Sequence, residues 1–205
     1  MFTNRKKAGQ LLAAKCLKFH HAPIVTISPG GAVVAKEMTR LLSSSLDFFV
    51  IQQIGNPGAR NLPVALVDEE GAVQYLDSEA SERQDWFSTA RVSTQHAAAS
   101  LGKKYRNGRN ALEVHGKPVL IVEDGIDDVR PVRMAIAAAR RAGASVVALA
   151  SPVISETAYS ALKKEADEVL YVELYNDSFG ISVHYAEYPE VSKDALMKIL
   201  KTSHS

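Results

Sequence analysis

Apolar residues in this chain fall into short branched runs, separated by stretches in which they recur at helical spacing. Residues 23–27 form such a run and predict a strand. Ser28-Pro29-Gly30-Gly31 breaks it, and Val33, Val34, Met38, Leu41 and Leu42 then mark a helix over residues 32–42. Ahead of this unit, Ala8, Leu11, Leu12 and Cys16 predict a helix over residues 4–18, with Lys6, Lys7, Lys15 and Lys18 on its solvated face. Residues 46–54 predict a second strand. Residues 63–67 and 72–76 predict a third and a fourth, joined by the turn Asp68-Glu69-Glu70-Gly71. A long helix follows over 78–104. Ser78 or Ser81 is its cap, and Trp86, Phe87, Ala90, Ala97 and Leu101 give it an apolar side.

The second half repeats the first pattern. Residues 119–122 predict a fifth strand that ends on Glu123-Asp124-Gly125, and residues 131–141 a helix with Pro131 near its start and Gly143 beyond its end. Residues 145–150 predict an internal sixth strand, stopped by Ser151-Pro152. A helix over 155–166, strands over 168–172 and 181–185 and a last helix over 191–201 complete the chain. Strands alternating with helices across short turns predict an α/β domain, a mostly parallel twisted sheet flanked by helices. The hairpin and long helix at 63–110 read as an insertion, a lid or hood on a single domain spanning 1–205.

Composition narrows the function. Lys and Arg number 24 against 23 Asp and Glu, and a net charge of +1 argues against a nucleic-acid partner. The single cysteine, Cys16, excludes an intrachain disulfide, and its place on an apolar helix face predicts an inert thiol. No apolar run reaches the roughly 20 residues of a membrane span, and the polar start around Asn4-Arg5-Lys6-Lys7 does not read as a signal peptide. The expectation is a cytoplasmic protein without a membrane partner, with assembly into a homo-oligomer left open.

The chemistry concentrates where the fifth strand ends. Ligands of open α/β sheets bind at the carboxyl edge of the strands, and there the chain places Glu123, Asp124, Gly125, Ile126, Asp127, Asp128, Val129 and Arg130 ahead of Pro131. Four carboxylates within six residues also suit a hard divalent cation or a cationic ligand, against the plainer reading of a solvated acidic turn.

Val119 to Ile126 resembles the start of the type I phosphoribosyltransferase signature, an apolar strand ending in two acids. Ser28-Pro29-Gly30-Gly31, Ile54-Gly55-Asn56-Pro57-Gly58, Tyr105-Arg106-Asn107-Gly108-Arg109, Ala166-Asp167-Glu168-Val169 and the tail from Tyr188 to Asp194 are similar to motifs of small bacterial members, so the resemblance covers essentially the whole chain. It implies transfer of a ribosyl 5-phosphate from phosphoribosyl pyrophosphate (PRPP) to a nitrogenous base. Glu123 and Asp124 would hold the ribose hydroxyls, directly or through Mg²⁺; Ser28, Gly30 and Gly31 would hold pyrophosphate; and residues 125–130 the 5-phosphate. Arg106 and Arg109 become candidate anion contacts, and Phe179 and Tyr185 candidate base-stacking residues, with packing as the alternative.

The departures fall on the same loops. Asp127-Asp128-Val129-Arg130-Pro131 replaces a turn of small and hydroxyl residues that wraps a phosphate at a helix N-terminus. Pro29 and Gln52-Gln53 stand where the family carries cations. These changes favour a degenerate relative, with a non-catalytic binding or regulatory module for a nucleotide-like ligand as the alternative to a working transferase.

Overall fold

The computed structural model describes residues 1–58, 62–76, 85–176 and 180–203. The chain runs α1 (Arg5–Lys15), a 3-10 turn (Leu17–Phe19), β1 (Ile24–Thr26), α2 (Pro29–Leu42), β2 (Leu46–Phe48), β3 (Ile51–Asn56), β4 (Leu62–Asp68), β5 (Val73–Tyr75) and α3 (Asp85–Tyr105). It continues with β6 (Pro118–Val122), α4 (Val129–Arg141), β7 (Val146–Ser155), α5 (Glu156–Leu162), β8 (Glu168–Tyr175), a second 3-10 helix (Ile181–His184) and α6 (Lys193–Thr202). Two compact units result. One joins Met1–Phe48 to Ala111–Ser205, and the other is Phe49–Asn110.

The first unit holds a five-stranded sheet, order β2-β1-β6-β7-β8, parallel throughout. β6 and β7 have neighbours on both edges, which is why their runs are apolar without alternation. Ile24, Leu120, Ile121, Leu149, Leu162 and Leu196 are fully buried in this unit. From β1 the chain passes through α2 outward to β2; from β6 it passes through α4 the other way, to β7. The carboxyl ends of β1 and β6 therefore flank the point where the winding reverses, the place such sheets form a ligand crevice. The second unit pairs β3, β4 and β5 antiparallel. Phe87 of α3 packs there with Ile54, Val64, Ala65 and Val67, and Trp86 lies against the cluster. Among the described residues no helix is long and apolar enough to cross a membrane.

Several boundaries differ from the sequence reading. The run 46–54 is two strands in different sheets, β2 and β3, and the second compact unit starts at Phe49 where the insertion was expected from residue 63. Hydropathy does not register a change of sheet within a continuous run. β7 continues through Pro152 to Ser155. On its β6 side the ladder stops at Val122 with Ala150 and resumes only at Ile126 with Ile154, so Pro152 falls where no strand asks for its missing N–H. Of the strand expected over 181–185, Ile181–His184 form a 3-10 helix and Tyr185 makes an isolated bridge to Phe2. α2 starts at Pro29, so Gly30 and Gly31 belong to its first turn, and α4 starts at Val129, two residues before Pro131. The expected start of the long helix, 78–84, lies outside the described residues.

α1 crosses α2 closely enough that a Cβ on Gly9 would stand 2.6 Å from the Val34 carbonyl oxygen. Backbone cannot yield as a side-chain end does. Gly9→Ala is expected to cost about 1–3 kcal/mol from overpacking, read as a lower urea midpoint at unchanged slope.

Candidate functional site

β6 ends in the crevice, and Glu123 and Asp124 follow it at once. Both are buried, at 5% and 6% exposure. Glu123 is held from the β1–α2 connection. Thr26 Oγ1 (3.0 Å) and the Ile27 N–H (2.8 Å) donate to its Oε1, and Ser28 Oγ (2.5 Å) donates to Oε2. Ser28 is also the N-cap of α2, accepting the Gly31 N–H at 2.9 Å. The carboxyls crowd the first turn of that helix. A Cβ on Gly31 would overlap Thr26 Oγ1 and come 3.0 Å from Glu123 Oε1, and a Cβ on Gly30 would overlap the Asp124 carboxyl. The glycine pair is therefore required by the acids packed on it.

Asp124 is held by residues from the two ends of the chain. Arg5 Nε donates to Oδ2 at 2.7 Å, and the Tyr188 hydroxyl donates to the same oxygen at 2.8 Å. The Tyr185 hydroxyl donates to the Asp124 carbonyl oxygen. The Arg5 guanidinium lies 3.7 Å from the centre of the Tyr188 ring, and its Nη1 donates to the Pro189 carbonyl at 2.6 Å. Tyr185 packs against Phe2 and Tyr188, with ring centres 5.5 and 5.0 Å away. It is buried and committed, not a free stacking surface. Phe179 lies outside the described residues.

The turn after the acids makes its own cap. Gly125 is packed so tightly on Ile181 that a Cβ would overlap that side chain. Ile126 bridges to Ile154 of β7. Asp127 Oδ1 accepts the Asp128 N–H at 2.7 Å. Asp128 is the N-cap of α4: its Oδ1 accepts the Arg130 N–H (3.0 Å) and Arg130 Nε (2.8 Å), and its Oδ2 accepts Arg130 Nη2 (2.8 Å). Val129 and Arg130 open the helix, and Pro131, third in it, has no N–H to give.

Electrostatics follow burial. Desolvation, then the neighbouring Asp124 charge, raise the Glu123 carboxyl to about 7 against the lowering effect of its three donors. The Asp128 carboxyl is lowered, chiefly by its bond from Arg130. Burial, followed by the Asp124 charge, raises both Tyr185 and Tyr188, which keeps them as hydrogen-bond donors. Burial raises the Cys16 thiol to about 12, in keeping with an inert core residue.

Of the sequence candidates, the structure gathers Glu123, Asp124, Ser28, Gly30 and Gly31 in the crevice. Arg106 and Arg109 lie in the Phe49–Asn110 unit. Arg106 is buried and grips Glu69 through both terminal nitrogens (2.5 and 2.7 Å), while the exposed Arg109 donates to the Arg106 carbonyl. Arg106 is thus a structural partner and not an open anion contact. Of the crevice carboxylate oxygens, both of Glu123 and Oδ2 of Asp124 serve protein donors, while Asp124 Oδ1 takes no donor among the described residues. Among the described residues no three His, Cys, Asp or Glu gather to hold a metal. Sequence reasoning missed Arg5, Thr26 and Tyr188. Arg5 shares the buried stripe of α1 with Ala8, Gly9, Leu12 and Ala13, so a charge on the apolar face was the available signal.

A model of the phosphoribosyl transferase domain matches residues 3–188. A Mycobacterium tuberculosis protein provisionally named a phosphoribosyl transferase is 25% identical over 210 residues, covering 100% of this chain and 47% of its own. The chain thus spans about half the length of the curated relatives it matches. The crystal structure of a Thermus thermophilus protein has the same fold, at a TM-score of 0.83 and 24% identity, covering 100% of this chain and 99% of that one. A Neisseria gonorrhoeae protein crystallised with bound ppGpp is similar at a TM-score of 0.54 and 12% identity, covering 96% and 91%.

The raised Glu123 carboxyl makes a pH prediction. Its folded pKa of about 7 lies above the ordinary 4.5, so its favourable contribution is complete below the ordinary value and is lost as pH rises through about 7. Glu123→Gln keeps an acceptor for Thr26 and Ile27 and offers Ser28 an amide. It should gain on the wild type by up to about 3 kcal/mol between pH 5 and pH 8. Urea unfolding at both pH values tests this; a pH-independent difference would refute it.

Proposed function

This chain belongs to the phosphoribosyl transferase domain family, and on that premise we propose that it is a non-transferring member. In this reading it is a binding or regulatory module for a nucleotide-like ligand. It keeps the family sheet but supplies its own anions where the family's substrate brings phosphate. One observation carries the reading: the N-terminus of α4 is capped by the Asp128 carboxylate, clamped by Arg130, with Asp127 beside it. A helix N-terminus favours an anion by roughly 0.3–1 kcal/mol, up to about 2. A phosphate arriving here would find the Arg130 N–H taken and no N–H on Pro131. Like charges 4 Å apart cost about 1 kcal/mol in water and about 4 near a protein surface. Asp127 would repel such a phosphate, and the Arg130 guanidinium that could attract it is already committed to Asp128.

The crevice acids support the same reading. Glu123 already serves Thr26, Ile27 and Ser28, and Asp124 serves Arg5 and Tyr188 through Oδ2, so ribose hydroxyls would compete with protein donors for every oxygen of the pair but Asp124 Oδ1. A nucleotide-like ligand is favoured as the class because a fold relative, the Neisseria gonorrhoeae protein, was crystallised with ppGpp. The competing reading is transfer from PRPP with Mg²⁺, with 63–110 as a hood. It draws on the acid pair retained at the carboxyl edge of β6.

Calorimetry with PRPP and MgCl₂ is expected to show no saturable heat up to about 1 mM ligand. Incubation with purine and pyrimidine bases should release no pyrophosphate above a buffer blank. Saturable binding together with pyrophosphate release would establish transfer instead. Asp128→Ala should lower stability by about 1 kcal/mol through loss of the cap, measurable in urea.

A further inference from the structure

The parallel sheet carries a second concavity at its other pole. Before the amino ends of β1 and β2, a pocket of about 670 Å³ opens between the C-terminal half of α2, the turn from α2 into β2, the His21 turn and the end of α6. That volume fits a small ligand. The wall is unlike an ordinary apolar site, because every lining residue is polar. Lys36 and Arg40, one turn apart on α2, bring two cations to it, and His21 adds an imidazole. Among the described residues the lining carboxylate is Glu37 alone, and its Oε2 already accepts Gln10 Nε2 (3.2 Å) and lies 3.5 Å from Arg40 Nη2.

The donors left over give the pocket its sign. Lys36 Nζ bonds the Thr202 hydroxyl, a neutral partner that leaves its charge uncompensated. The Ser43 and Ser45 hydroxyls have no hydrogen bond among the described residues. Helix C-termini would oppose an anion, but their carbonyls are answered within the protein. The Leu42 carbonyl accepts the His21 N–H (2.9 Å) and the Ser44 hydroxyl (3.3 Å), the Thr39 carbonyl accepts the Ser44 N–H (3.0 Å), and the Ile199 carbonyl accepts the Ser203 hydroxyl (2.8 Å). His21 (φ 64°) and Ser43 (φ 49°) both occupy the left-handed region, uncommon for residues other than glycine. The His21 Nδ1–H donates to the Ser43 carbonyl at 3.1 Å, which ties the two turns together and leaves Nε2 for another partner.

We propose that this pocket is a second ligand site, one that binds a phosphate group, either free or carried on a small polar molecule such as a sugar. Lys36 and Arg40 supply the opposing charge, and the Ser43 and Ser45 hydroxyls supply neutral donors. A metal ion would meet more cations than carboxylates there. A nucleobase or an acyl chain would find no apolar wall, whereas sugar hydroxyls would find partners of their own kind. The site is open to solvent and Arg40 is partly engaged by Glu37, so binding is weak and falls with salt. It lies at the end of the sheet opposite Glu123 and Asp124, and does not depend on whether the crevice performs transfer.

The test is an amide-shift titration of the ¹⁵N-labelled chain with inorganic phosphate and, separately, with glucose 6-phosphate, at constant ionic strength set by chloride. The His21, Ser43, Ser44 and Ser45 amides should shift and saturate, with half-saturation below about 10 mM. Combining Lys36→Gln with Arg40→Gln should weaken binding at least about tenfold, since glutamine keeps the helix and removes both charges. Tighter binding of glucose 6-phosphate by about tenfold or more makes the ligand a sugar phosphate, and equal affinity makes it free phosphate; both support the site. Shifts that never saturate, shifts confined to Gly30 and Gly31 in the crevice, or an undiminished affinity in the double variant overturn it. Should the double variant fail to fold, the wild-type titration decides alone.

Discussion

A helix begins with N–H groups that have no partner inside it, and something negative or polar must meet them. In this fold the chain meets them itself. Asp128 closes the start of α4, Ser28 closes that of α2, and Glu123 and Asp124 lie against the glycines of the same turn. The rest of the crevice follows from that substitution. Acids packed on α2 need Gly30 and Gly31 beneath them, hydroxyl and amide donors beside Glu123, and a cation beside Asp124. Arg5 is that cation, which ties the first turn of α1 to the middle of the sheet.

Burying both acids is costly, and the two are settled by different means. Asp124 pairs with a guanidinium that is itself stacked and bonded to a carbonyl. Among the described residues Glu123 has no cation as a bonded partner, and it feels Asp124, so near neutral pH it shares its time between two protonation states. Removing the cation would leave Asp124 an uncompensated buried charge, which is generally worse than never having built the pair.

Much of the fold was legible because it rests on runs and breaks. Apolar strands, the helix start at Ser155 and Gly143 after α4 are local signals, and each falls where the pattern placed it. What was not legible depended on contacts distant in sequence. Nothing local marks that residues 46–56 change sheets, or that Pro152 sits beside a gap in its neighbour's ladder. The site divided in the same way. The position of Glu123 and Asp124 at a strand end is a local fact and was readable. Their partners Arg5 and Tyr188, 119 and 64 residues away, were not, although the charge on the buried stripe of α1 was a visible anomaly.

One residue outside the crevice also bears on how this domain can diverge. The buried Asp47, in β2, accepts the Leu112 N–H through Oδ2 at 3.1 Å, so the points where the chain leaves and re-enters the parallel sheet are pinned side by side. Everything between Phe49 and Asn110 hangs from that junction, and every strand of the parallel sheet lies outside it. Such a junction makes the intervening segment modular. It can lengthen, shrink or be exchanged over evolutionary time while the register of the sheet, and the geometry at the end of β6, stay as they are.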